Sequence, residues 1–169
     1  MRTMLLSFKP NVYDRLVSGK KIYEHRRTFP NEPIKAYLYI SRPIQAITGI
    51  LYLDNRIALD SWKEKYSEDI EAVARIEKFM GKNKYAMEIK CFKETNYISL
   101  NRIKEKFPNF VIPQMYIYID GTPLEEFLEK ELVLTGNIIE HTFESISSDM
   151  ICRGWDIHVW KVNNIKRDI

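Results

Sequence analysis

Strand-like segments that follow one another with short turns between them restrict the fold of this chain more than any other feature. A first segment at residues 4–9 and a short helix at residues 10–19 precede three segments rich in β-branched and aromatic residues, KKIYEHRR, KAYLYISRP and AITGILYL. A doubly wound parallel sheet needs a helix between successive strands. This order predicts instead an α+β fold with a mostly antiparallel sheet, flanked by helices, that can close into a β-barrel.

The rest of the chain alternates between helical and strand-like patterns. Apolar residues at steps of three or four predict one helix, or two broken near Ser67, between residues 60 and 80. A strand is expected at residues 84–92, a short helix at 99–107 with Ser99 as its N-cap, and another strand at MYIYI. An acidic helix should begin at Pro123, followed by strands at residues 132–146 and 155–162.

Size and composition agree with one globular domain. The 169 residues are 45% hydrophobic and 29% charged, values that exclude disordered, collagen-like and membrane-spanning classes. The first apolar run is short and stops at Lys9 and Pro10. We therefore expect no signal peptide, no membrane span and a cytoplasmic location.

Charge is distributed unevenly along the chain. Residues 1–42 carry nine basic and three acidic side chains, whereas residues 120–149 carry one basic and eight acidic side chains. The basic front predicts an anionic partner, unless the two blocks lie against each other and cancel. The acidic segment, residues 120–149, could also dock a protein partner.

Cysteine and histidine are too sparse for a metal site or a disulfide framework. Cys91 and Cys152 are far apart, and the three histidines show no metal-binding spacing. We expect no metal and no cofactor. His141 and His158 are expected to make ordinary hydrogen bonds.

The chemistry concentrates in residues 19–27, GKKIYEHRR, which hold four basic side chains, an imidazole, a phenol and one carboxylate. Strand alternation places Tyr23 and His25 on one face and Glu24 and Arg26 on the other, while Lys21, at the turn, could point to either side. Because unpaired buried charge is costly, one face must meet solvent, the acidic segment or an anion. The plain alternative is a solvated edge strand whose cations Glu24 neutralises.

These residues carry a resemblance to a known family. Gly19, Lys21, Glu24 and Arg26 match GxKxxExR, the signature of the ASCH domain family, a branch of the PUA-like β-barrels. The following segments KAYLYISRP, TGILYL and KYAMEIKCF resemble later strands of that family, and Pro113, Gln114 and Tyr116 resemble its Pro-Gln-aromatic segment. The likeness covers about residues 4–119.

The resemblance implies a PUA-like domain at residues 1–120, with residues 121–169 as a C-terminal α/β extension packed on the same domain. It also implies a cleft beside the signature strand that binds RNA or nucleotides. The basic candidates for that cleft are Lys9, Lys21, Arg26, Arg27 and Arg42. The other candidates are Tyr23, Glu24, Ser41, Gln114 and Tyr116. Base stacking could use Tyr23, Tyr37, Tyr39, Tyr116 or Tyr118.

An enzymatic alternative comes from the same resemblance. Some ASCH-like proteins are amidohydrolases that act on acetylated cytidine, and others have been proposed as ribonucleases. In the amidohydrolases the signature lysine works with a hydroxyl residue three positions later and a distant glutamate. Lys21 matches the lysine, but Glu24 occupies the hydroxyl position. Lys21 and Glu24 would be the catalytic pair of such an enzyme, whereas their mutual pairing favours binding.

Overall fold

The N-terminal strand and helix form as their local signals predict. A computed structural model describes residues 1–153 and 165–168. Strand β1 (Arg2–Phe8) leads into α1 (Pro10–Val17), with Pro10 in the first turn, where its missing N–H costs nothing. Gly19 then adopts a left-handed φ of 75° that suits glycine. The backbone N–H groups of Lys20 and Lys21 donate to the Arg15 carbonyl and direct the chain into β2 (Tyr23–Arg26).

Three long strands form the centre of the sheet. β3 (Ile34–Ile40) runs parallel to β1, while β4 (Ala46–Ala58) is antiparallel to β3, and β5 (Tyr85–Thr95) is antiparallel to β4. Among the described residues, β1 and β3 form the one parallel pair of a nine-stranded sheet that curls into a half-barrel. The predicted α+β class with a mostly antiparallel sheet is confirmed.

The helical region between β4 and β5 is divided as expected near Ser67. It forms α2 (Leu59–Lys65) and α3 (Ile70–Met80). Asp69 begins the second helix, because its carboxylate accepts a hydrogen bond from the backbone N–H of Ala72 at 3.1 Å. Both helices pack on one side of the sheet through Trp62 and Ile76.

The segment after β5 contains a short strand that the pattern did not predict. β6 (Ile98–Ser99) pairs with β4 and is followed by α4 (Leu100–Lys106), which is capped by the Ser99 hydroxyl as predicted. β7 (Tyr116–Tyr118) pairs with the outer edge of β1, and α5 (Pro123–Glu131) begins at its predicted proline.

The C-terminal part adds strands to the same sheet. β8 (Leu134–His141) is shorter than the predicted 132–146, because the chain leaves the sheet and reaches a 3₁₀ turn at Ser148–Met150. β9 (Ile165–Asp168) pairs with β8. The predicted strand at 155–162 lies outside the described residues. No helix in the described part of the chain is long and apolar enough to cross a membrane.

One edge of β5 holds two different partners. Its first half, Tyr85 to Glu88, pairs with β2, and its second half, Cys91 to Thr95, pairs with β8. The position of the short strand β2 is thus set by its hydrogen bonds to β5, a strand far from it in the sequence.

Both faces of the sheet are covered. α1 packs over a cluster that includes Leu6, Leu38 and Phe92, while α4 and α5 cover the opposite face, where Tyr37 and Tyr39 are buried. This double coverage buries two of the ten tyrosines in the sequence.

Candidate functional site

A cleft of about 900 Å³ opens beside β2. Its walls come from β1, α1, the loop at 112–115, the end of α3 and the segment that ends at Arg153. Among the described residues, one carboxylate, that of Glu24, lines this cleft together with seven basic side chains. These are Lys9, Arg15, Lys21, Arg26, Arg27, Lys82 and Arg153.

Glu24 connects the two signature cations. Its side chain is 5% exposed, and Nε of Arg26 donates to Oε1 at 2.6 Å. On the other oxygen, Oε2, the ammonium of Lys21 lies at 3.0 Å. Lys21 precedes β2 and turns toward the face that carries Glu24 and Arg26, the orientation that alternation had left open.

Arg26 also anchors the neighbouring strand and loop. Its Nη2 donates to the Ser7 carbonyl at 2.9 Å, and its guanidinium lies 5.4 Å from the centre of the Phe8 ring. The Ser7 hydroxyl donates to the Pro113 carbonyl at 2.6 Å. The Pro-Gln segment is therefore held against the signature strand through β1.

The Oε2 atom of Glu24 is buried beside Lys21. The Lys21 ammonium lies 3.0 Å from this oxygen, and a side-chain hydrogen bond to Glu24 supports the charged form of the lysine. Both oxygens of the carboxylate are therefore paired with signature cations.

Burial controls the protonation of the groups beside Glu24. Burial lowers the pKa of Lys21, and the Glu24 carboxylate opposes that shift, while Arg15 and Arg26 add to it. Burial, together with the charges of Lys21 and Arg15, holds the pKa of His25 well below its ordinary value. His25 is therefore a neutral imidazole at physiological pH.

The acidic segment does not seal the cleft within the residues that the structure describes. Its carboxylates have other partners: Asp120 is 3.1 Å from Nε of Arg2, and Glu131 is 2.5 Å from Nη2 of Arg102. Glu125 accepts from the backbone N–H of Gly121. The described part of the acidic segment thus leaves the basic cleft uncovered.

Seven of the ten predicted binding residues line the cleft: Lys9, Lys21, Glu24, Arg26, Arg27, Ser41 and Gln114. Tyr23, Arg42 and Tyr116 lie outside its lining. The Tyr23 ring is buried against Trp62, 4.9 Å between centres, and Tyr116 stacks on Phe29 at 6.3 Å. Arg42 is exposed.

The tyrosines proposed for base stacking have other surroundings. Tyr37 and Tyr39 are 1% exposed, so neither ring offers a face, although Tyr39 contributes to the cleft wall. Tyr118 is 40% exposed but lies under the Arg2 guanidinium, 3.7 Å away, at the outer edge of the sheet.

Sequence reasoning missed the far wall of the cleft. Phe79, at the end of α3, is half-buried and contacts the His25 ring, 4.7 Å between centres. Lys82 and Asn83 follow it, and Arg15 and Arg153 complete the set. Lys82, a basic residue directly after the helix-ending Gly81, was a local sequence signal for this wall. Phe79 offered no such signal, because its spacing matches that of core residues.

His141 differs from its prediction. It is buried at the end of β8, and its Nδ1 has no hydrogen-bond partner in the described structure. Burial lowers its pKa to about 4. Among the described residues, this nitrogen therefore lacks the ordinary hydrogen bond that was expected, and His141 is outside the cleft lining. The same expectation for His158 lies outside the described residues.

Metal ligands do not converge in the described part of the chain. There, no group of three or more His, Cys, Asp and Glu side chains could hold an ion. Within the described residues, neither Cys91 nor Cys152 forms a disulfide.

Solved structures of an ASCH protein from Zymomonas mobilis, ZmASCH, share this architecture. The ZmASCH structure superposes with a TM-score of 0.59 at 20% identity, covering 79% of this chain and 97% of its own. A tyrosine-to-phenylalanine variant of it gives the same TM-score over 100% of its chain, and a serine-to-alanine variant gives 0.57 over 97%. The chain has the ASCH fold.

The ASCH fold is recognisable here from structure and a short signature rather than from overall sequence similarity. No protein-family model matches the sequence, and no curated protein matches it. Within the ASCH fold, the signature residues Lys21, Glu24 and Arg26 meet at the floor of the cleft.

Proposed function

We propose that the cleft binds RNA or a nucleotide-like anion. The observation that carries this proposal is the charge of the cleft, whose described lining has seven cations and one carboxylate. That carboxylate, Glu24, is already paired with Lys21 and Arg26. The positive charge that remains attracts a polyanion, and RNA phosphates supply that charge.

The exposed cations at the rim of the cleft contact the phosphates in this proposal. Lys9, Arg27 and Lys82 are all exposed and stand around the opening. Each phosphate that they neutralise releases counterions, so binding weakens as salt rises.

The inner wall of the cleft contacts the bases in this proposal. Phe79 presents a half-buried ring, and stacking on an aromatic ring contributes about 1–3 kcal/mol per base. The exposed amide of Gln114 supplies polar contacts to base edges. Single-stranded RNA or a free nucleotide suits this combination better than a duplex, whose base faces are stacked.

The test compares two variants that lose the same charge. The cleft variant replaces Lys9, Arg27 and Lys82 with alanine, and the control replaces the exposed Lys78, Lys104 and Lys130, which lie outside the cleft. Binding of single-stranded RNA, duplex RNA and nucleotides is measured at about 50 mM salt. The cleft variant should lose at least about tenfold in affinity, and the control should lose little. Equal losses, or no binding by the unaltered protein, would refute the proposal.

An additional variant separates nucleic-acid binding from protein docking at the acidic segment. Glu126 and Glu129 are exposed on α5 and lie outside the cleft. Their replacement by glutamine should leave RNA affinity unchanged or slightly higher, because it removes negative charge. A loss of RNA binding in that variant would place the site on the acidic segment.

A hydrolase acting on an acetylated nucleoside is the second candidate, and the lowered pKa of buried Lys21 favours it. A lysine amine takes a proton from water more readily when its charged form is disfavoured. Water would add to the acetyl carbon, the C–N bond would break, and acetate and the free amino nucleoside would form. Acetylated cytidine should then be consumed by the protein and by Lys9→Ala, and persist with Lys21→Ala. Persistence with the unaltered protein would exclude this activity.

A further inference from the structure

A small hollow branches from the cleft beneath Lys21. Its volume is about 20 Å³, close to the space that one water-sized atom occupies. Four residues line both the hollow and the cleft: Arg15, Lys21, His25 and Arg153. Lys20 adds a fourth cation to its lining, and we call the site formed by these four cations and His25 the cationic hollow.

The cationic hollow differs from the rest of the cleft in its charge balance. Four of its residues are lysines or arginines, and no carboxylate lines it in the described part of the chain. Glu24, the acid that balances the cleft floor, is absent from that lining. Lys21 shares the one carboxylate of Glu24 with Arg26, so the positive charges at the hollow outnumber the negative charge beside it, and an anion at their centre reduces their mutual repulsion.

A polar atom without a partner is buried at this place. Nε2 of His25 is inaccessible to solvent and has no hydrogen-bond partner among the described residues. A neutral imidazole can donate one hydrogen bond, and an unsatisfied buried polar group is costly. With that proton on Nε2, the imidazole would donate to an oxyanion oxygen in the hollow.

The C-terminal segment holds Arg153 at the hollow. Ile151 and Cys152 are 0% and 1% exposed, so the two residues before Arg153 are anchored in the core. Nε of Arg153 donates to the Asp149 carbonyl at 2.6 Å. Arg75 donates to the Ser148 carbonyl at 2.6 Å and fixes the preceding turn on α3.

The remaining cations are fixed by the turn after α1. The backbone N–H groups of Lys20 and Lys21 both donate to the Arg15 carbonyl, at 3.0 Å. Three separate parts of the chain, namely α1, this turn and the segment at 148–153, therefore bring their charges to one point. Such prearranged donors favour an oxyanion, because charge-assisted hydrogen bonds are the strong ones.

We propose that the cationic hollow is the phosphate subsite of the cleft, so that the ligand is a phosphorylated nucleotide or an RNA phosphate rather than an unphosphorylated nucleoside. The hollow admits one terminal phosphate oxygen, and the rest of the ligand lies in the cleft. This inference rests on the proposed nucleotide-binding function. It adds the orientation of the ligand, whose phosphate points into the hollow.

The test measures the ratio of affinities for a monophosphate and for its nucleoside. Ribonucleosides and the matching monophosphates are titrated into the protein and into the variants Arg153→Ala, Lys20→Ala and Lys104→Ala. The unaltered protein should prefer the monophosphate by at least about tenfold. Arg153→Ala and Lys20→Ala should each reduce that preference severalfold and leave nucleoside affinity unchanged. Lys104→Ala, on exposed α4 surface outside the cleft, should leave the ratio unchanged.

Three outcomes would overturn the inference in distinguishable ways. Equal affinity for nucleoside and monophosphate in the unaltered protein refutes the phosphate subsite but leaves nucleotide binding intact. A preference that survives in both hollow variants places the phosphate elsewhere in the cleft. If neither ligand nor any RNA binds, the proposed function itself is wrong. Inorganic phosphate, added as a competitor, should displace the monophosphate and have little effect on the nucleoside.

Discussion

Oε1 of Glu24 accepts a hydrogen bond from Nε of Arg26 at 2.6 Å, on a carboxylate that is 5% exposed. The other oxygen of the same carboxylate faces Lys21 at 3.0 Å. One buried anion thus compensates two cations that are 13% and 15% exposed. The stability of the cleft floor depends on that one carboxylate.

Replacing Glu24 with glutamine should destabilise the fold by about 3–5 kcal/mol, because it leaves two nearly buried cations without their counterion. Urea unfolding at neutral pH measures the loss. Glu77→Gln is the matched control, since Glu77 pairs with Lys63 at 3.1 Å with both side chains about half exposed. The control should cost less than about 1 kcal/mol. Equal costs for the two variants would show that Glu24 carries no special electrostatic role.

Stability should fall between pH 7 and pH 5 because of buried histidines. Burial lowers the pKa of His141 to about 4, and that of His25 well below its ordinary 6.5. In this window the unfolded chain binds a proton at each histidine and the folded chain does not, so acid favours unfolding. His141 contributes a loss of about 2 kcal/mol, at about 1.4 kcal/mol per pH unit, and His25 adds a loss in the same direction.

Unfolding of His141→Gln at the two pH values isolates one contribution. Glutamine does not titrate, so the pH-dependent loss should shrink by about 2 kcal/mol relative to the unaltered protein. The lowered pKa values of Asp69 and Asp120 act below their ordinary 3.8, outside this window. An unchanged pH dependence would mean that His141 is not shielded in solution.

RNA binding should respond to salt in proportion to the exposed cations of the cleft. For single strands, log Kd changes with log salt by about 0.7 per neutralised phosphate. Removing Lys9, Arg27 and Lys82 together should therefore reduce the slope by about 2. Fluorescence anisotropy across a salt series measures it, and a slope identical to that of the unaltered protein would place the phosphates away from these residues.

Phe79→Ala should weaken binding of single-stranded RNA by about fivefold to a hundredfold, which corresponds to about 1–3 kcal/mol of stacking. Phe143→Ala is its control: that ring is also half-buried at the edge of the same core cluster, but lies against Tyr23, away from the cleft. Both variants should lose similar stability, and only Phe79→Ala should lose affinity. Similar affinity losses would exclude stacking on Phe79.

Elements with a local cause were predictable from the sequence. Ser99 and Pro123 mark the starts of α4 and α5 through contacts within a few residues, and Gly19 marks the turn after α1. The signature on β2 is equally local, so Lys21, Glu24 and Arg26 could be placed together before the structure was known. Strand alternation alone could not orient Lys21, because that residue precedes the strand.

Features that arise from distant packing were not predictable. Tyr37 and Tyr39 lie on β3, and α4 and α5, far along the chain, bury them. The apolar spacing of α3 predicts that Phe79 faces the core. A residue in a cleft wall shows the same spacing, because both positions are shielded from solvent. Arg153 reaches the cleft because Ile151 and Cys152 are anchored on α2 and α3, a contact that no local pattern records.

The pairing of β2 with the first half of β5 sets the order in which the cleft can form during synthesis. The signature segment leaves the ribosome before its hydrogen-bonding partner, which lies about sixty residues further along the chain, and Arg153 follows later still. A nascent chain that ends before β5 has the whole signature and no strand on which to hold it. The walls of the cleft are therefore complete only after residue 153 has been synthesised.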